Sequence, residues 1–209
     1  MRPRTIEDCL REEYFDLLPE IRRVAWQLET EIRFHTLPIV RTLNPYEQLA
    51  VKSRVKECES AIKALQRRQE GRIFDPDHPE EYSMLNLPDL AGVRVLVFPH
   101  NRLIGVDNEL RRRFADWMPD PVFDENGSVL ARTYFGHRPE VSSRLRAEYQ
   151  VVPMLIGYFW EVEHSALYKP DPSLRGVSES AEMKRLKAEV ETALSRFEAG
   201  FGDFVRDNN

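Results

Sequence analysis

Leu87-Pro88-Asp89-Leu90-Ala91-Gly92-Val93-Arg94-Val95 decides how this chain is read. From Val93 to Phe98 the sequence is an almost continuous, β-branched apolar run. That pattern suits a strand covered on both faces near the centre of a sheet. Asp89 stands just ahead of the run and Arg94 lies within it. Upstream, Leu49-Ala50-Val51-Lys52-Ser53-Arg54-Val55 reads as a second strand, with Lys56 directly after it. Downstream, Ala147-Glu148-Tyr149-Gln150-Val151 puts another carboxylate on a strand-like run. Charges carried at the ends of apolar strands are how a sheet edge meets a polyphosphate and its metal.

The remaining elements follow from periodicity. Residues 5–36 read as helix, because Ile6, Leu10, Leu17, Ile21, Val24, Leu28 and Ile32 recur at helical spacing, with one longer step across Tyr14. Thr5 is a ready cap, with Glu7 and Asp8 in the first turn. Pro19 is expected to kink or split that helix. A connection spans 38–46, a helix 57–69, a loop 71–88, a helix 103–116 and a turn 124–127. Strands are expected at 128–135 and 144–152, and helices at 154–169 and 178–206. The last carries Met183, Leu186, Val190, Leu194, Phe197 and Phe201 as a stripe, which either covers the sheet or packs on another subunit or an antitoxin-like partner.

Composition bounds the answer. At 209 residues the chain suffices for one well-packed domain with an extension. No apolar run is long enough to span a bilayer, and no apolar stretch follows Met1-Arg2-Pro3-Arg4, so neither a membrane span nor a signal peptide is expected. Cys9 and Cys58 lack metal-type spacing and read as reduced thiols of a cytoplasmic protein. The net charge of −5 argues against general nucleic-acid binding. It is unevenly spread: Lys52 to Arg72 holds seven basic and three acidic residues, whereas Ile73 to Asp89 holds five acidic residues and no Lys or Arg. A local basic field in an acidic protein suits a polyanionic ligand, although Lys63, Arg67 and Arg68 equally suit a solvated helix face.

If the strands bearing Asp89 and Glu148 are neighbours, their carboxylates converge at one sheet end. Hard oxygen donors of that kind suit Mg²⁺, which typically bridges carboxylates to substrate phosphates. Arg54, Lys56 and Arg94 would neutralise those phosphates. A carboxylate beside a ribose hydroxyl would take its proton. The plainer reading makes Asp89 a turn cap and Glu148 a surface strand residue.

Four co-linear blocks resemble the synthetase domain of the RelA/SpoT proteins, pyrophosphokinases that make pppGpp and ppGpp, and especially their small single-domain forms. They are Ser53-Arg54-Val55-Lys56-Glu57-Cys58-Glu59-Ser60-Ala61-Ile62, Asp89 to Val95, Glu148-Tyr149-Gln150-Val151, and Glu163-His164-Ser165-Ala166-Leu167-Tyr168-Lys169. The resemblance implies an α/β (α+β) fold with a nucleotidyltransferase-like mixed sheet of about five strands, flanked by N- and C-terminal helices. Residues 1–44 would be a helical extension, 45–170 the synthetase-like core and 171–209 a C-terminal amphipathic helix. It further implies transfer of the β,γ-pyrophosphate of ATP to the 3′-hydroxyl of GDP or GTP. Asp89 and Glu148 would hold Mg²⁺, with Glu148 also the base. Arg54, Lys56 and Arg94 would bind ATP, while Gln150, His164 and, as stacking platform, Tyr134 would serve the acceptor.

Two departures bear on the acceptor side. No Gly precedes Tyr134, and Arg138 stands where the family has His. Val152-Pro153 replaces an Arg-Thr pair, exchanging a phosphate contact for apolar residues. The alternatives are a toxin that modifies the tRNA 3′ end, gripped by Arg67-Arg68, Arg72 and Arg111-Arg112-Arg113 and neutralised by an antitoxin, or a non-catalytic regulatory module.

Overall fold

In the computed structural model, residues 4–69, 71, 73–123, 127, 129–163, 165 and 180–207 are described. The first helix, α1 (Ile6–Val40), starts at a capping box: Asp8 N donates to Thr5 Oγ1 and Thr5 N donates to Asp8 Oδ2, both at 3.2 Å. Tyr14 fills the long step in the apolar stripe, is buried with Leu10 and Leu17, and donates its hydroxyl to Lys56 O at 2.7 Å. Pro19 neither splits nor ends α1, contrary to one expectation. It lies exposed on the outer face, so the Phe15 carbonyl left without an amide partner can be hydrated.

Six strands follow the antiparallel and parallel pairings of a mixed sheet: β1 (Gln48–Val55), β2 (Ala91–Phe98), β3 (Met118–Pro119), β4 (Val122–Phe123), β5 (Val129–Arg138) and β6 (Ser142–Pro153). Their order is β1-β2-β6-β5-β3, with β4 also on β5. β2 is antiparallel to β1 and parallel to β6, and β6 is antiparallel to β5. β2 is thus an interior strand, as its apolar run requires. The count exceeds the sequence expectation through β3 and β4, each two residues long and too short to show a period.

Alternation divides the sheet into two faces. Val93, Val95, Val97, Tyr149 and Val151 join the larger core with α1, α2 (Cys58–Arg67) and α3 (Leu103–Arg113). Leu96, Ala131 and Val152 form a smaller cluster with Met154 and Ile156 of α4 (Met154–Glu163). Over that second face runs α5 (Ala181–Asp207), where Leu194 packs on the small cluster and Phe201 lies 5.1 Å from Phe98. The stripe of α5 is only partly used, since Leu186, Val190 and Phe197 remain exposed. No helix among the described residues is long and apolar enough to cross a membrane.

Gly136 shows how tightly the larger core is filled. A Cβ there would come within 2.4 Å of three ring atoms of buried Trp117. An indole cannot yield as a flexible chain end can. Gly136→Ala is therefore expected to destabilise the fold by about 1–3 kcal/mol, or roughly 2–12 °C in Tm, measured by thermal unfolding.

Candidate active site

The second sheet face is where the charged residues gather. Register places Arg54 opposite Gly92 and Gly92 opposite Glu148, so three adjacent strands present Arg54 and Glu148 across a residue with no side chain. A Cβ at Gly92 would meet Arg54 Nε at 3.1 Å, so glycine leaves the guanidinium its place. Arg54 Nη2 lies 3.0 Å from Glu148 Oε1 and 3.9 Å from Asp89 Oδ2. Lys56 Nζ pairs with the same Asp89 oxygen. Tyr14 and the Lys56 N to Leu90 O bond (2.9 Å) hold the ends of these strands together. One step along, Arg94 opposes Gln150, and its Nε donates to Gln150 Oε1 at 3.1 Å.

α4 closes one flank of this cluster. Lys52, on the same face as Arg54, pairs with Glu161 at 2.9 Å and lies 4.4 Å above the Tyr158 ring. Arg94 stands 5.6 Å from the Trp160 ring, whose Nε1 donates to Glu191 of α5 at 2.7 Å. Gly157 lets α4 approach β2, since a Cβ there would meet Leu96 Cδ2 at 2.2 Å.

Burial shapes the electrostatics. The Glu148 side chain is only 5% exposed, and burial pushes its carboxyl above the usual carboxylate range, helped by Asp89 and opposed by Arg54, Lys56 and Arg94. Arg94 is pulled down, first by burial and then by the neighbouring Arg54 cation. Asp89 Oδ1 is buried with no hydrogen-bond partner. That orphaned oxygen, next to a second carboxylate reached by the same guanidinium, fits a divalent cation with hard oxygen ligands. Among the described residues no group of three or more acidic, His or Cys side chains forms a metal cage.

Arg54, Lys56, Asp89, Arg94, Glu148 and Gln150 are therefore brought together. Tyr134 is not, and its expected stacking role is corrected. It opposes Tyr149 on the α3 face, stacked at 4.7 Å and 17°, and donates its hydroxyl to buried Asp107 at 2.7 Å. Burial, then the bond to Asp107, pushes the phenol up to about 12. Tyr134→Phe is expected to cost about 1–3 kcal/mol by leaving Asp107 short of a donor, read as a lowered Tm. His164 lies outside the described residues.

The aromatic on the site face of β5 is Phe135, opposite Glu148, with Thr133 opposite Gln150. Thr133 Oγ1 is buried without a partner. Strand parity alone separates Phe135 from Tyr134, and that parity was legible only once Glu148 was paired in register. Lys52 had a clearer signal, because Lys52, Arg54 and Lys56 alternate at the two-residue period of one sheet face.

No family model matches this chain, and no curated protein matches it by sequence. Solved structures do match. Small alarmone synthetase 1 from Bacillus subtilis superposes with a TM-score of 0.67 at 15% identity, covering 94% of this chain and 97% of that one. The chain has the small alarmone synthetase fold. Structures of the same synthetase with its product pppGpp and with AMPCPP match at TM-scores of 0.67 and 0.65, with 16% and 14% identity. Each covers 94% of this chain, and 98% and 97% of the other. Small alarmone synthetase 2 from the same organism matches at 0.64 and 18% identity, over 93% of this chain and 99% of that one. The mixed sheet and flanking helices thus follow that fold.

The departure at Val152-Pro153 also has a physical form. Val152 is fully buried against Leu96, Ala131 and Met154, so apolar packing fills the position that carries arginine in the family pattern.

Proposed function

We propose that this chain transfers the β,γ-pyrophosphate of ATP to the 3′-hydroxyl of GDP or GTP. The observation that carries the proposal is the Arg54–Glu148–Asp89–Lys56 cluster on the open face of a small alarmone synthetase fold. Related structures in that fold hold pppGpp or AMPCPP, which supports nucleotide substrates here. Such substrates fit a cytoplasmic protein.

Arg54, Lys56 and Arg94 bind the donor phosphates in this scheme, Arg by paired N–H contacts and Lys as a point charge. Asp89 and Glu148 would hold Mg²⁺, which would neutralise charge building on those phosphates. Glu148 takes the proton of the 3′-hydroxyl as its oxygen bonds to the β-phosphorus of ATP. The bond from that phosphorus to the α,β-bridging oxygen breaks, and AMP leaves with the electron pair. A carboxylate pushed up by burial is a better acceptor for this proton than an exposed one. Holding both nucleotides in line supplies most of the remaining acceleration. On the acceptor side, Gln150 is positioned by Arg94, and Phe135 takes the part first expected of Tyr134.

The tRNA 3′ end is the alternative acceptor. Arg111, Arg112 and Arg113 do not favour it, because α3 packs on the other sheet face and Arg112 and Arg113 pair with Glu109 and Glu31. A neutralising protein or a second copy would find Leu186, Val190 and Phe197 of α5 exposed.

The test follows the γ-phosphate label of ATP, with Mg²⁺, into GDP, GTP, AMP or deacylated tRNA offered separately. Label in GDP or GTP is expected. Label in tRNA alone would overturn the guanosine acceptor. Label in none, with Asp89→Asn indistinguishable from wild type, would overturn the enzyme.

A further inference from the structure

β2 has charged ground at both ends. Asp89 precedes it and the candidate active site lies along its first half, as far as Arg94; His100 lies just past its other end, at Phe98. There, between the start of α3, the start of β5 and the outer side of α5, lies a cleft of about 460 Å³. That volume is in the range of small-molecule sites. Its polar lining is His100, Arg132, Thr192, Ser195 and Arg196, and among the described residues the lining contains no carboxylate. Such a concentration of cationic and hydroxyl groups is notable in a chain of net charge −5.

The cleft is also braced. Asp107, at 2% side-chain exposure, stands behind Arg132 with Oδ2 3.4 Å from Nη1, while its Oδ1 takes the Tyr134 hydroxyl. A guanidinium held from behind by a buried carboxylate is positioned in advance rather than free to swing. Arg132 Nε is buried and has no partner. Thr192, Ser195, Arg196 and Ala199 follow at three, four and seven residues, one face of α5 directed at the cleft. His100 is held below the ordinary imidazole range by burial and by the Arg132 charge. Leu103, Ile104 and Val129 supply an apolar wall, and Ile104 is exposed.

We infer that this cleft is a second ligand site, separate from the candidate active site, for a small phosphate-bearing metabolite. Its phosphate is bound by Arg132, Arg196 and His100, and its apolar part lies over Leu103, Ile104 and Val129. The hydroxyls of Thr192 and Ser195 complete the phosphate shell. Because α5 supplies four of the ten residues that line the cleft and also holds Trp160 through Glu191, occupancy bears on the helix that flanks Arg94.

The test uses the full chain and two probes, inorganic pyrophosphate and AMP, titrated without Mg²⁺ and followed by NMR. The His100 imidazole reports the cleft and the Gln150 side-chain amide reports the candidate active site. Both probes are expected to shift His100 and raise its apparent pKa, because an anion offsets the Arg132 charge. AMP is expected to bind at least several-fold more tightly than pyrophosphate. Arg196→Gln, on the exposed side of α5, is expected to weaken the His100 response at least tenfold and leave the Gln150 response unchanged. Titration that moves Gln150 alone, or a His100 shift that survives Arg196→Gln undiminished, would overturn the site. Equal affinity for the two probes would overturn the part assigned to the apolar wall.

Discussion

Replacing Glu148 by glutamine is expected to lower kcat for pyrophosphate transfer by a factor on the order of 10²–10⁴, with the KM for ATP changed far less. Glutamine has the same shape and keeps an oxygen for Arg54, so the guanidinium retains its 3.0 Å partner and the donor side of the site keeps its form. What disappears is the ability to accept a proton. Burial raises the wild-type Glu148 carboxyl above the usual range, ahead of the opposing pull of Arg54, Lys56 and Arg94. The base must be ionised to act, so the wild-type rate should rise with pH and level off above that elevated value. The glutamine variant should lose this limb. Steady-state kcat and KM across pH check it; an unchanged kcat, or a variant retaining the acid limb, would remove Glu148 from the chemistry.

The second large effect lies away from the chemistry. Glu198, on α5, has 0% exposure. Its Oε1 accepts from Leu155 N at 2.6 Å, one of the amides that the first turn of α4 leaves without an intrahelical partner. Its Oε2 is buried with none. Burial pushes this carboxyl up to about 7 from an ordinary 4.5, against the pull of the Leu155 amide. The fold thus prefers the neutral acid. Stability from this group is complete below about 4.5 and is lost as pH rises through about 7. The loss is about 3 kcal/mol, or roughly 6–12 °C in Tm. Glu198→Gln keeps the acceptor for Leu155 and cannot ionise, so the variant should gain on wild type across that window and hold the gain at pH 8. Parallel Tm-versus-pH curves for the two proteins would refute it.

Most elements were readable because their periods are local. Tyr14 completes the α1 stripe, the Val93–Phe98 run marks an interior strand, and Arg54, Lys56, Asp89 and Glu148 were identifiable by charge at strand ends. The split expected at Pro19 does not occur, because its effect depends on whether the freed carbonyl faces solvent, which is a property of the packed helix. β3 and β4 are too short for any period to register. Glu198 lies outside the apolar stripe of its helix, and only the seating of α5 over α4 makes it a buried cap.

The amino-acid sequence alone determined that this is a mixed α/β chain whose apolar strands carry a set of cations and carboxylates. Tertiary structure decided which of those charges meet. The β1-β2-β6 pairing sets Arg54, Gly92 and Glu148 in one line. The β5–β6 register sends Tyr134 to the core and leaves Phe135 on the site face. Helical and strand periods arise from bonds between near neighbours in the chain. Strand register and face arise from contacts between residues far apart in it, and a shift of one residue reverses every side chain.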